Sequence, residues 1–201
     1  MTTQVHARKA ERAGFGASDI ALIAVFAALM AVLAIIPPIF TVGAIPFAIQ
    51  VIAVLLTPLV LGPLRGGCAC ALYLLVGIAG LPVFAGGHSG PAAIIGPTGG
   101  YLLGFVVQGF IVGAVAAVAL RRRPNRRALP WLLIACAILG VVIIHLCGVI
   151  FFMTTLHMTL TRALITTAPF FPWDCLKGVI AGFLAVAVFT AFPALMPARK
   201  A

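Results

Sequence analysis

The chain has 201 residues, of which 64% are hydrophobic and 8% charged, with thirteen Lys and Arg against three acids and a formal net charge of +10. An ordinary soluble domain is about 45–50% apolar and about 25% charged, which excludes a soluble globular enzyme. The bases are separated by long apolar runs, so the excess positive charge points to a membrane and not to a nucleic-acid partner.

Residues 1–18 form a tail with Arg8, Lys9 and Arg12, and 19–201 is expected to be one membrane domain. A membrane-crossing helix needs about 20 apolar residues. The uncharged block 20–64 has room for two such helices, and Pro37-Pro38 through Pro46 splits it into helices near 19–36 and 46–62. Gly62-Pro63 predicts a tight turn before Arg65. The next block, 66–120, breaks across a Gly- and Pro-rich stretch from Gly80 to Thr98, leaving helices near 65–80 and 99–120. A fifth helix is expected near 130–153 and a sixth near 172–192. The spans lack a period of two, so they read as helices and not as barrel strands. The apolar run after the tail is longer than a signal-peptide core and is read as an uncleaved first helix.

Basic residues orient the bundle. With six spans, the tail, Arg65, the Arg121–Arg127 cluster, Arg199 and Lys200 share one side, and only Arg162 faces the other. Both termini are therefore expected in the cytoplasm, with the arginine cluster at the lipid head groups.

Asp174 is the only acid after residue 19, and Lys177 follows three residues later on the same helical face, at the start of span six. Ionisable residues in membrane helices are rare and costly, and usually face a cavity or a partner. The pair is either a self-neutralising structural ion pair or a ligand site. The run Gly80-Leu81-Pro82-Val83-Phe84-Ala85-Gly86-Gly87-His88-Ser89-Gly90-Pro91, followed by Gly96-Pro97-Thr98-Gly99-Gly100-Tyr101, is the second feature. Irregular backbone at membrane depth is tolerated where it lines a cavity, and a plain surface loop is the alternative. Ala24 and Ala28, and Ala27 and Ala31, place small residues four apart on span one, a spacing that lets helices approach closely. From the residues alone, packing within the bundle is the favoured reading of that spacing. His145 in span five is expected to be a hydrogen-bonded interior residue, with a proton relay as the alternative. His157 and Arg162 are expected in or beside a solvated outer loop. Five cysteines suggest neither a disulfide framework nor a metal site, and no P-loop, HExxH or GxSxG is present.

The runs GLPVFAGGHSG, GPTGGY and PFFPWDCLK resemble the BioY family, the biotin-specific S components of energy-coupling factor transporters. The resemblance extends over nearly the whole chain and departs at Trp173, where the family often has Gly. It implies a six-helix, all-α protein of a prokaryotic cell membrane that captures biotin from outside and performs no catalysis. Asp174 and Lys177 are implied to line the biotin pocket, with Phe84, Gly87, Thr98 and Tyr101 of the Gly-rich connection and the loop between spans one and two. Phe171 and Trp173 are further candidates to cover the apolar part of the ligand. Ala24 and Ala28 are implied to dock on a transmembrane coupling subunit, and two cytosolic ATP-binding cassette ATPases would complete the transporter. No cofactor is implied. The rival readings are an S component for another vitamin, a stand-alone carrier, and an intramembrane enzyme using Asp174, which lacks the second carboxylate such chemistry usually needs.

Overall fold

Among the described residues, five helices are long and apolar enough to cross a membrane: α1 (Ala17–Ile35), α2 (Val51–Ile78), α4 (Gly99–Arg121), α5 (Ala128–Thr154) and α7 (Phe171–Ala191). This computed structural model describes residues 16–37, 41–42, 45–122 and 124–197. Shorter elements join the long helices: α3 (Pro91–Ile95), α6 (Leu160–Thr167), and a hairpin in which β1 (Thr41–Val42) pairs with β2 (Ile45–Pro46). Bases of the tail, Arg123, Arg199 and Lys200 fall outside the described residues, as does part of the connection between α1 and β2.

The long helices carry exposed apolar side chains around their outer surface, among them Val25, Val32, Val118, Leu146 and Phe183. In water these would be a liability. In hydrocarbon they are the solvated face, so the bundle needs no polar outer stripe.

α2 contains the turn expected at Gly62-Pro63. Gly62 has φ +74° and ψ −170°, a left-handed-side conformation that a side chain would strain. The chain doubles back there, because a Cβ on Gly66 would lie 2.8 Å from Pro58 Cα, and Tyr73 Oη is 2.9 Å from Gln50 Oε1. In one straight helix Gln50 and Tyr73 would be about 35 Å apart. The element is therefore two antiparallel helical segments, 51–61 and 63–78. The first begins at Val51 and not near 46, because β2 and the turn after it occupy 45–50.

Small residues set the distances between helices. Gly113 sits against the Gly62 backbone and Gly109 against Gly67, which brings α4 onto the helical hairpin formed by the two segments of α2. Gly100 and Gly104 meet the backbone of α5 at Cys147, Gly148 and Ile144. On α7, Gly178, Ala181, Gly182 and Ala185 continue the buried stripe that begins with Asp174 and Lys177. A Cβ on Gly182 would lie 3.0 Å from the Ile134 backbone nitrogen, so α7 lies close on α5.

At one end of the bundle, Asp19 Oδ1 is 2.8 Å from Arg65 Nε, which joins the start of α1 to the hairpin turn. Asp19 also accepts from the Gly16 N–H at 3.0 Å and faces the positive end of the helix dipole. At the other end, the connection between α5 and α7, expected to be a solvated loop, contains α6. Its N-cap hydroxyl, on Thr159, accepts from the Arg162 N–H at 3.4 Å.

Candidate ligand-binding site

The site lies where α4, α5 and α7 converge on the Gly-rich connection. Pro172 stands in the first turn of α7, where no intrahelical N–H is lost. Asp174 follows in that turn, and Lys177 lies one turn further on the buried face. Lys177 Nζ donates to Asp174 Oδ1 at 2.7 Å. His145 of α5 meets the other carboxylate oxygen, with Nε2 3.1 Å from Asp174 Oδ2. Each of the three residues is 6% exposed.

Aromatic rings hold this triad. Lys177 Nζ stands over the Phe47 ring, 3.8 Å from its centroid, a cation–π contact. Tyr101 and Phe171 both pack edge-on against the His145 ring, at 5.6 and 5.2 Å between centroids. The Tyr101 hydroxyl is buried and makes no hydrogen bond among the described residues.

These groups close one end of a cavity lined by Ala48, Gln50, Val51, Phe84, Ala85, His88, Thr98, Tyr101, Leu102, Phe105, Ile144, Phe170, Asp174 and Lys177. The Gly-rich connection forms one wall. Gly86 and Gly87 take φ of +77° and +76°, allowing the chain to turn so that Phe84 N–H donates to the His88 carbonyl at 3.1 Å. Gly90 N–H ties this turn to the Gly77 carbonyl at 2.8 Å. Gly77 has no side chain in the space that the Phe84 ring fills. Thr98 is the N-cap residue of α4, and its hydroxyl donates to the Ala93 carbonyl at 3.3 Å.

Of the residues singled out in the sequence, Asp174, Lys177, Tyr101, Thr98 and Phe84 line one cavity. Gly87 does not line it; it is exposed and shapes the turn between Ala85 and His88. Phe171 packs on His145 and Trp173 on Phe47 (centroids 5.8 Å apart), so neither is a wall. Phe170 takes that place. Ala24 and Ala28 are far from the cavity in sequence and are exposed on α1, the least buried long helix. Gln50, His88, Phe105 and Phe170 are lining residues that sequence reasoning missed. Gln50 carried a readable signal, an amide within an otherwise apolar span.

The triad can do more than neutralise itself. An ammonium has three N–H donors, and one of those on Lys177 is engaged by Asp174. A carboxylate can accept about four hydrogen bonds, and Asp174 receives two. Asp174, Lys177 and Tyr101 line an aromatic cavity, and their spare donors and acceptors, with a Tyr101 hydroxyl that makes no hydrogen bond among the described residues, form an arrangement suited to a small molecule with a polar head and an apolar body.

A bundle of apolar helices around such a cavity defines a polytopic membrane protein with an internal ligand-binding site. Residues 2–194 match the BioY family. The chain belongs to that family, whose members are multi-pass proteins of the prokaryotic cell membrane. It is 34% identical over 185 residues to the biotin transporter BioY of Rhizobium etli, covering 90% of this chain and 97% of the relative. It is 35% identical over 144 residues to the biotin transporter BioY of Thermotoga maritima, covering 72% and 80%. Its fold matches a crystal structure of the S-component for biotin from an ECF-type ABC transporter, with a TM-score of 0.77, 23% identity, and coverage of 86% of this chain and 91% of that one.

Proposed function

We propose that this protein is the substrate-binding S component of a biotin uptake system, and that it binds biotin without chemically altering it. The observation that carries the reading is the Asp174–Lys177 pair, buried at the end of an aromatic cavity with hydrogen-bonding capacity to spare. Biotin has a ureido ring with two N–H donors and one carbonyl, an apolar thiophane and chain, and a carboxylate. Asp174 is suited to the ureido N–H groups and Lys177 to a ligand oxygen, and charge-assisted bonds of this kind are the stronger ones. Phe84, Phe105, Phe170 and Tyr101 suit the apolar portion, with Thr98 at the rim and Gly87 shaping the connection. The names of the Rhizobium etli and Thermotoga maritima relatives agree with this ligand.

The protein crosses the membrane six times in this reading, with both termini cytoplasmic. The reversal at Gly62 supports two crossings within α2, and the Asp19–Arg65 pair supports a shared side for the first helix start and the hairpin turn. The cavity then opens outward. Ala24 and Ala28, exposed on α1, are the proposed contact with a transmembrane coupling subunit, and two ATP-binding cassette ATPases supply the energy. Arg121, Arg122, Arg126 and Arg127 rest at lipid head groups.

Uptake of labelled biotin in a biotin-auxotrophic host tests the reading. Accumulation that depends on this chain and on a co-expressed energy-coupling module supports it. Accumulation of a different vitamin, or transport driven by a proton gradient without ATPases, contradicts it.

A further inference from the structure

Gln50 and Val83 contend for one hydroxyl proton. Tyr73 Oη lies 2.9 Å from the carbonyl oxygen of Val83 and 2.9 Å from the end of the Gln50 amide designated Oε1. Both would accept, and a phenol has one proton to give. The two ends of a glutamine amide have the same shape, so the surrounding network decides which end is the NH2. Val83 offers no such choice: its carbonyl can only accept. It is buried and has no other donor among the described residues. Buried acceptors are nearly always satisfied. The Tyr73 proton therefore belongs to Val83, and the phenol oxygen must accept from Gln50. That requires the Gln50 NH2 to face Tyr73 and its carbonyl to point the other way.

Gln50 is 4% exposed and lines the cavity. Its far amide end makes no hydrogen bond among the described residues. Tyr73 is itself anchored, 2% exposed and edge-on to Phe84 at 5.6 Å. We infer that Gln50 is a specificity-determining residue, presenting a carbonyl oxygen that Tyr73 holds in place and that accepts a hydrogen bond from an N–H group of the bound molecule. This rests on the proposed function, in which the N–H belongs to the cyclic urea of biotin. Gln50 reads one ureido N–H and Asp174 the other. Ligands of similar shape without that N–H are discriminated against, because they leave a buried carbonyl unpaired.

The test is a cycle between protein and ligand. Wild type and Gln50→Met, a near-isosteric change, are titrated with biotin and with two biotin analogues, each having a different ureido N–H replaced by ring oxygen. Thermal melting checks the fold. With biotin, Gln50→Met is expected to weaken binding about tenfold, the scale of one hydrogen bond. With one of the two analogues, the same substitution is expected to cost nothing further. An equal loss for all three ligands, or no loss with biotin, overturns the inference. Should Gln50→Met not fold, Tyr73→Phe takes its place in the cycle. It is expected to weaken biotin binding by a factor of about three to ten and to spare the same analogue, and wild-type affinity for biotin in that variant overturns the inference. Failure of the folded wild type to bind biotin is a separate outcome, which sinks the proposed function itself.

Discussion

His145 and Asp174 join α5 to α7 across the buried end of the cavity, with His145 Nε2 3.1 Å from the carboxylate oxygen that Lys177 does not engage. The contact spans 29 residues and fixes the carboxylate from the side opposite its own helix. Removing the imidazole leaves a buried oxygen short of a donor, a cost of about 1–3 kcal/mol. His145→Leu is therefore expected to lower thermal stability and weaken biotin binding together. His145→Gln, which keeps a donor, is expected to recover part of both. Unchanged melting in His145→Leu would show that the contact contributes nothing.

Lys177→Ala removes the donor to Asp174 and the cation over Phe47, and leaves Asp174 with His145 alone. Breaking a buried pair is costlier than the pair is worth, because one charge is left uncompensated. Affinity for biotin is expected to fall by about 100-fold, equivalent to about 2.8 kcal/mol. Equilibrium binding on protein whose folding is verified by melting measures this. Wild-type affinity would remove Lys177 from the site.

Gly77 provides the space for the Phe84 ring, and a Cβ there would overlap it. Gly77→Ala is expected to displace Phe84 from the cavity wall, costing about 1–3 kcal/mol in stability and weakening ligand binding. Adding Phe84→Leu should restore part of the stability but not the affinity. Additive losses in the double variant would show that the two positions do not communicate.

Ala24 and Ala28 lie on the exposed surface of α1, well away from Asp174 in the chain. Ala24→Trp and Ala28→Trp are expected to leave biotin binding unchanged and to reduce co-purification with a coupling subunit at least tenfold. Intact assembly in both variants would place the docking face elsewhere.

Much of this arrangement was legible in the chain. Asp174 and Lys177 stood out because a lone acid and a base one turn apart inside an apolar run have few explanations. Gly62-Pro63 announced its turn because few other dipeptides reverse a chain so tightly. The short helix α6 is amphipathic, with Leu160, Ala163, Leu164 and Thr167 at helical spacing, but eight residues between two longer apolar runs are too few to stand out as a helix. Phe170 and Phe171 could not be told apart, since the first turn of α7 decides which ring faces the cavity and which packs on His145. The family resemblance places Gly87 at the ligand, whereas its left-handed conformation serves the turn. The Tyr73–Gln50 contact, like His145–Asp174, joins residues far apart in sequence, and no local pattern encodes it.

The proposed biotin site stands or falls on Asp174. Calorimetric titration of biotin into purified wild type and Asp174→Asn, both melting as folded proteins, tests it most directly. Saturable one-site binding to wild type is expected, with a loss of about 10- to 100-fold in Asp174→Asn, the scale of a lost charge-assisted bond. Equal affinity in the two proteins, or no heat of binding with folded wild type, would contradict it.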